Sequence, residues 1–240
     1  MSGWDSLLSE LRSREWDYRL DGSHSGQENM DTDVHLLENV SRPTLRLYTW
    51  NRPTLSLGRH QRDNWVNREL CERLNVEVVR RPTGGRALLH MPQEITYAVA
   101  LPKVGDLSVR EAFEGIAALL AAALRRCGLE VEAATSNSAP AGKLNPHCGE
   151  VVTAGEVCWR GRKLVGSAQV RSNGNLLQHG SLVRFGDNDL LRQLMPEATA
   201  RLTLEDLGRA DLSCEDLLKA WDMELRGLAE GLGYGIARPC

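Results

Sequence analysis

The sequence is poor in the features that most directly mark a function. Its six cysteines stand at 71, 127, 148, 158, 214 and 240, with no C-x-x-C pair, so neither zinc-ribbon nor thioredoxin-like chemistry is suggested. Aromatic residues are only 5% of the chain. No apolar run is long enough to cross a bilayer; the longest, 116–124, reads as part of a buried helix. Trp4, Asp5, Glu10, Arg12 and Arg14 break up any leader-like apolar core near the start. A cytoplasmic protein with free thiols and no membrane partner is therefore expected. A net charge of -3 and a pI near 6.1 give no general electrostatic case for nucleic acid as a partner. There is no internal repeat, low-complexity tract or dividing linker.

What is present fits an enzyme-sized globular chain. Its 240 residues are 42% hydrophobic and 25% charged, enough for a real core. Helical spacing marks 5–16, 29–40, 63–74, 187–195 and 213–230. Ser108 and Glu111 form a capping-box pattern ahead of a long helix that runs to about Cys127. Strand patterns mark 45–50, 54–57, 76–79, 95–101, 156–159, 163–171 and 176–185. Turns are expected at 21–26, 51–53, 160–161 and 173–174, and a loop over 136–154. This order predicts an α+β fold, one domain over 1–240 with a mixed central β-sheet flanked by helices.

Four segments carry possible chemistry. Arg80, Arg81 and Arg86 surround Gly84-Gly85, where the backbone can approach a ligand closely and guanidinium groups can meet a phosphate or carboxylate. Lys163 precedes Gly166-Ser167-Ala168; it is either a surface charge or the border of a pocket, and the small residues favour a pocket. Cys148 lies in a polar loop beside His147, fifteen residues before Lys163, and is either a passive thiol or a nucleophile. His179 either lines a site or is a satisfied structural histidine. Cys71, Cys127 and Cys158 read as packing residues.

Three ordered blocks then carry a resemblance. They are 80–90 (RRPTGGRALLH) with 94–97, 161–169 (GRKLVGSAQ), and 177–181 (LQHGS); Asn29, Met30, Asp33, Leu36 and Leu37 add a helix motif. Over about 27–185 the chain resembles the lipoate/octanoate protein transferase and ligase family, which has the biotin/lipoate ligase fold. Cys148 stands at the spacing seen in the Cys-nucleophile octanoyltransferases of that family, and little room remains for the accessory domain of large ligases. Gly149 to Ala154 departs from the aromatic and Ala-Pro-Ser residues usual there.

The resemblance implies transfer of octanoate from octanoyl-acyl carrier protein, through a Cys148 thioester, to a lysine of lipoyl domains in 2-oxoacid dehydrogenase E2 subunits or the glycine-cleavage H protein. Lys163 would stabilise the thiolate. Arg80, Gly84, Gly85, Arg86, His90, Gly166, Ser167, Ala168 and His179 would bind substrate, with backbone N–H groups at 166–168 or 84–85 meeting the oxyanion. No cofactor or metal of its own is implied, because the donor carries its phosphopantetheine on the carrier protein. An ATP-dependent lipoate ligase, an amidotransferase between lipoyl domains and a non-catalytic binding relative are the alternatives.

Overall fold

The structure, a computed structural model, describes residue 11 and residues 15–105, 107–134 and 155–229. Two sheets organise it. The larger has seven strands in the order β1-β2-β6-β10-β9-β8-β7. These are β1 (Asp17–His24), β2 (Thr44–Trp50), β6 (Ile95–Leu101), β7 (Glu132–Ala133), β8 (Val157–Trp159), β9 (Arg162–Ser172) and β10 (Asn175–Leu182). Only β1 and β2 pair in parallel, so the sheet is mixed. The smaller sheet has the order β4-β3-β5, from Thr54–Leu57 (β3), Glu77–Arg80 (β4) and Leu88–His90 (β5). The α+β expectation holds.

Alternating side chains divide the large sheet into two faces. Leu45, Leu47, Tyr97, Val99, Leu176 and Leu182 face α3 (Val109–Arg126) and α5 (Cys214–Ala229) and form the main core. Helix α3 starts where Ser108 and Glu111 make the expected reciprocal capping box. The opposite face presents Tyr48, Trp50, Ala98, Ala100 and Leu177 to α1 (Gly26–Asn39), through Met30, Leu36 and Leu37. The small sheet packs with α2 (Arg68–Arg73) and α4 (Asn188–Leu194) in a third cluster around Leu55, Leu57, Cys71 and Leu89.

One carboxylate ties these parts together. Glu77 of β4 accepts hydrogen bonds from the backbone N–H groups of Gly26 and Gln27 at 2.8 and 2.9 Å. A negative charge at the N-terminus of α1 is favourable there. A side chain at Gly26 would stand 2.6 Å from the Thr54 methyl, so glycine lets α1 sit against the small sheet. No described helix is long and apolar enough to cross a membrane.

Several elements depart from expectation. Residues 21–24 are not a turn but the end of β1: Gly22 takes φ +70 at a register shift, and pairing with β2 continues past it. Helix α1 begins three residues early, at a second capping box formed by Ser25 and Glu28. Helix α2 is shorter than 63–74, because Asn67 caps it through the Leu70 N–H. The 51–53 connection does not join neighbouring strands; it carries the chain from the large sheet to the small one. The expected helix over 5–16 falls almost wholly outside the described residues, and so does the 136–154 loop.

Candidate active site

The site is built on the α1-facing side of the large sheet. Four strands place a row of residues across it: Tyr48 on β2 pairs with Thr96 on β6, Thr96 with Ser181 on β10, and Ser181 with Gly166 on β9. The next row on the same face runs Arg46, Ala98, His179, Ala168. A cleft of about 440 Å³, mouth included, lies over these rows. Its far walls are Met30 of α1 and Arg81, Gly85, Leu88 and His90 from the small-sheet side. The mostly apolar walls suit an acyl chain rather than a charged ligand.

A β-bulge brings Lys163 to this face. Residues 163 and 166 are three apart and would project to opposite sides of a regular strand. The β8–β9 register slips by one residue between Val157 and Cys158, leaving an extra residue on β9. Leu164 and Val165 therefore both face the main core, and Lys163 turns to the side of Gly166. A methyl group at Gly166 would stand 2.9 Å from Lys163 Cε and 3.4 Å from Nζ. The Lys163 ammonium donates to Glu156 Oε1 at 2.5 Å, and the two side chains are only 9% and 5% exposed. The lysine thus lies against Gly166, a wall residue of the cleft, beside a carboxylate that the sequence pattern marks only as part of a strand.

Two buried histidine relays support the cleft walls. In the first, Asp33 of α1 accepts from Arg46 Nη1 at 2.7 Å, from the Tyr48 hydroxyl at 3.1 Å and from His179 Nδ1 at 2.8 Å. Because the carboxylate is an acceptor, Nδ1 carries the hydrogen, and Nε2 faces the Thr83 hydroxyl at 2.7 Å. Thr83 begins the Gly84-Gly85 loop. That loop lies against Gly58, where a Cβ would come within 1.9 Å of the Gly85 carbonyl oxygen.

The second relay runs from Arg201 through Glu94, His90 and Ser56 to Arg81. Arg201 donates to Glu94 Oε1 at 3.1 Å and to the Ser181 carbonyl and hydroxyl at 3.0 Å each. Glu94 meets His90 Nδ1 at 3.0 Å, and His90 Nε2 meets Ser56 Oγ at 2.7 Å. Burial lowers the His90 pKa against the opposing pull of Glu94, so the ring is neutral and stacks on Trp50 with centroids 4.1 Å apart. Burial would raise Glu94, but Arg201 and His90 outweigh it and hold the carboxyl at about 2.

This depressed value sets a pH dependence. An unfolded Glu titrates near 4.3. Between that value and about 2 the unfolded chain binds the extra proton, so the stabilisation is complete above roughly 4.3 and is lost as pH falls. The shift corresponds to about 3 kcal/mol. In denaturant titrations across pH, Glu94→Gln is expected to be less stable at neutral pH and to show a shallower acid slope; an unchanged slope would contradict the relay.

The predicted arginines act mainly as braces. Arg80 Nη1 donates to the Gly58 and Gln61 carbonyls at 2.8 Å each. Arg81 donates to Ser56 O and Oγ at 2.7 and 2.8 Å, and to the Gly84 and Arg86 carbonyls at 3.1 and 2.9 Å. Of the expected binding residues, Gly85, His90, Gly166, Ser167, Ala168 and His179 line the cleft; Arg80, Gly84 and Arg86 do not. Sequence reasoning missed Tyr48, Trp50, Thr96 and Ser181 as wall residues and Glu94, Glu156 and Arg201 as supports. Cys148 lies outside the described residues.

The described cysteines are poor nucleophiles. Burial raises the Cys71 and Cys127 thiols, and burial with adjacent Glu156 pushes Cys158 to about 11. Cys214 is likewise pushed to about 11, by burial and Glu215. None is poised as a thiolate near neutral pH.

Gly180 forms a tight floor beneath the site. A Cβ there would lie 2.7 Å from each of Gly166 O, Ser167 Oγ and Tyr97 Cε1. Gly180→Ala is expected to cost roughly 1–3 kcal/mol as overpacking, read as a lower urea midpoint; an unchanged midpoint would rule out this close fit.

The profile of the lipoyl protein ligase A/B catalytic domain matches residues 25–213. The chain belongs to this family. Among its relatives, octanoyltransferase LipM of Carboxydothermus hydrogenoformans is 42% identical over 238 residues, covering 90% of this chain and 86% of its own. Octanoyltransferase LipM of Halalkalibacterium halodurans is 34% identical over 232 residues, covering 86% and 84%. Protein Ta0514 of T. acidophilum, solved with bound lipoic acid, superposes with a TM-score of 0.70 at 20% identity over 91% of this chain and 86% of its own. A lipoate-protein ligase A structure with bound ATP gives 0.69 at 19% identity, covering 91% and 85%. The structural matches show that the family fold is shared. The family match extends past the resembling blocks and takes in Arg201, which they do not reach.

Proposed function

We propose that this chain, acting in the cytoplasm as one acyltransferase domain, is an octanoyltransferase of protein lipoylation. It takes octanoate from octanoyl-acyl carrier protein and passes it to a lysine of a lipoyl domain, in an E2 subunit or an H protein. The structural observation that carries this reading is the apolar cleft whose Gly166–Ala168 wall adjoins buried Lys163. The LipM relatives, similar over most of their length, support the octanoyl group as the one transferred.

The chemistry proceeds in two exchanges. The Cys148 thiolate attacks the donor thioester carbonyl; a C–S bond to Cys148 forms, and the carrier thiolate leaves and takes a proton. The amine of the acceptor lysine then attacks the Cys148 thioester; the amide C–N bond forms, and the Cys148 sulfur leaves. An ordinary lysine, with a pKa of about 10.4, is almost wholly protonated near neutral pH, so the attacking amine must lose a proton first. Lys163, positioned by Glu156, favours the Cys148 thiolate and exchanges protons with the reacting groups. Backbone N–H groups near Gly166–Ala168 or Gly85 meet the developing oxyanion. Thioester to amide is downhill, so the reading needs no ATP, metal or cofactor of the enzyme's own.

The test is a three-component reaction of this protein, octanoyl-carrier protein and a lipoyl domain, without nucleotide. Octanoyl-lysine on the acceptor, detected by mass spectrometry, is the expected product. Acylation only from free octanoate with ATP would replace this reading with a ligase.

A further inference from the structure

Of the arginines that the sequence offered for partner binding, Arg81 is buried, and Arg80, although exposed, is engaged by backbone carbonyls and Asp63. Arg80 fixes the 58–61 loop through its carbonyls, and that loop packs on the rim of the cleft. The Arg59 N–H donates to the Thr83 carbonyl at 2.8 Å, and Gly58 abuts Gly85. Arg59 is therefore held next to the exposed Gly84-Gly85 pair at the mouth, and His60 and Arg62 follow it closely along the chain. All three are exposed, and none pairs through its side chain among the described residues. Two unpaired guanidinium groups this close together stand out on a chain of net charge -3.

We infer that Arg59 and Arg62, with His60 between them, form the docking rim for the donor: an acidic carrier protein whose thioester arm is attached through a phosphodiester. This rests on the proposed transferase reading. Charge decides between the two substrates. The acceptor brings a lysine to the cleft, and a cationic rim opposes an ammonium. The donor brings a phosphodiester and an acidic surface, which the same rim attracts. Such rim charges act mainly on encounter and on salt dependence rather than on the chemical step.

The experiment compares wild-type protein with Arg59→Glu/Arg62→Glu, using octanoyl-carrier protein and octanoyl-pantetheine as alternative donors. With the carrier donor, the double variant is expected to raise KM about tenfold with kcat nearly unchanged, and to flatten the fall of kcat/KM with added salt. With octanoyl-pantetheine, which lacks both carrier and phosphodiester, its kcat/KM should match wild type within about twofold, which also shows that the variant is folded. An unchanged carrier KM, or a rise in acceptor KM instead, would overturn the assignment. Failure of the wild type to use any octanoyl thioester would instead overturn the transferase reading itself.

Discussion

Replacing Cys148 with alanine is expected to abolish transfer, lowering turnover by about three orders of magnitude or more, as removal of a covalent nucleophile does. No other described thiol can take its place. Cys158 is the nearest in sequence to the lysine, but it is 2% exposed and its thiol is pushed to about 11. The expectation is specific in a second way. Binding of octanoyl-carrier protein should survive in Cys148→Ala, because the rim and cleft walls remain. Lys163→Met is expected to be severe for a different reason. It removes the ammonium beside the cleft and leaves Glu156, 5% exposed, without that partner. Its pH–rate profile should therefore move, whereas a variant that only loosens packing would lower activity without moving it. Turnover of Cys148→Ala within tenfold of wild type would exclude the acyl-enzyme.

The largest expected loss of stability comes from Asp33→Ala. Asp33 is fully buried and accepts from Arg46, Tyr48 and His179 together. Removing the carboxylate leaves the fully buried Arg46 guanidinium with Asp21, at 2.6 Å, as its remaining carboxylate partner. Breaking a buried pair from one side costs about 3–5 kcal/mol, which for a chain of this size lowers the melting temperature by roughly 10 °C. Asp33→Asn should be intermediate. Its amide keeps one acceptor for Arg46 but turns a donor toward Tyr48 or His179. The loss should also exceed that of a purely structural change, since His179 would no longer be held toward Thr83 and the Gly84-Gly85 loop. Calorimetry on both variants, with activity measured well below each transition, separates the two effects. A shift under about 2 °C for Asp33→Ala would mean that the network contributes little.

The legible parts of the fold were those with a local cause. Arg160-Gly161 and Asn173-Gly174 take positive φ at both residues, the two-residue turn that matches strand twist, so the β8–β9 and β9–β10 hairpins could be read directly. The start of α3 was equally readable from Ser108 and Glu111. The same signal at Ser25 and Glu28 stood in the sequence and would have placed the start of α1. Strand β1 was not legible. Asp21-Gly22-Ser23 has turn chemistry, and its strand character comes from pairing with β2 across a register shift. Long-range partners decide such a segment against local preference.

The site divides along the same line. Gly85, Gly166, Ser167 and Ala168 were readable because small residues mark close approach of the backbone. Lys163 was readable as a residue, but the face it occupies depends on a bulge, which spacing alone does not reveal. Asp33 appeared only as part of a helix motif; its role comes from Arg46 and His179, the latter 146 residues away. Arg46 offered one overlooked sign, a charge inside the otherwise apolar run Leu45–Tyr48, where burial requires a partner. What the sequence did not show of Arg80 and Arg81 is their bracing, Arg81 while also lining the cleft, because the carbonyls they hold come from loops whose proximity is set by Gly58 and Gly85.

The most direct test of the central claim is intact-protein mass spectrometry after mixing with octanoyl-carrier protein, with no nucleotide and no acceptor. One octanoyl group per chain, mapped by peptide analysis to Cys148 and discharged when a lipoyl domain is added, is the predicted result. Acyl transfer that proceeds with no adduct, or an adduct that persists in Cys148→Ala, would contradict it.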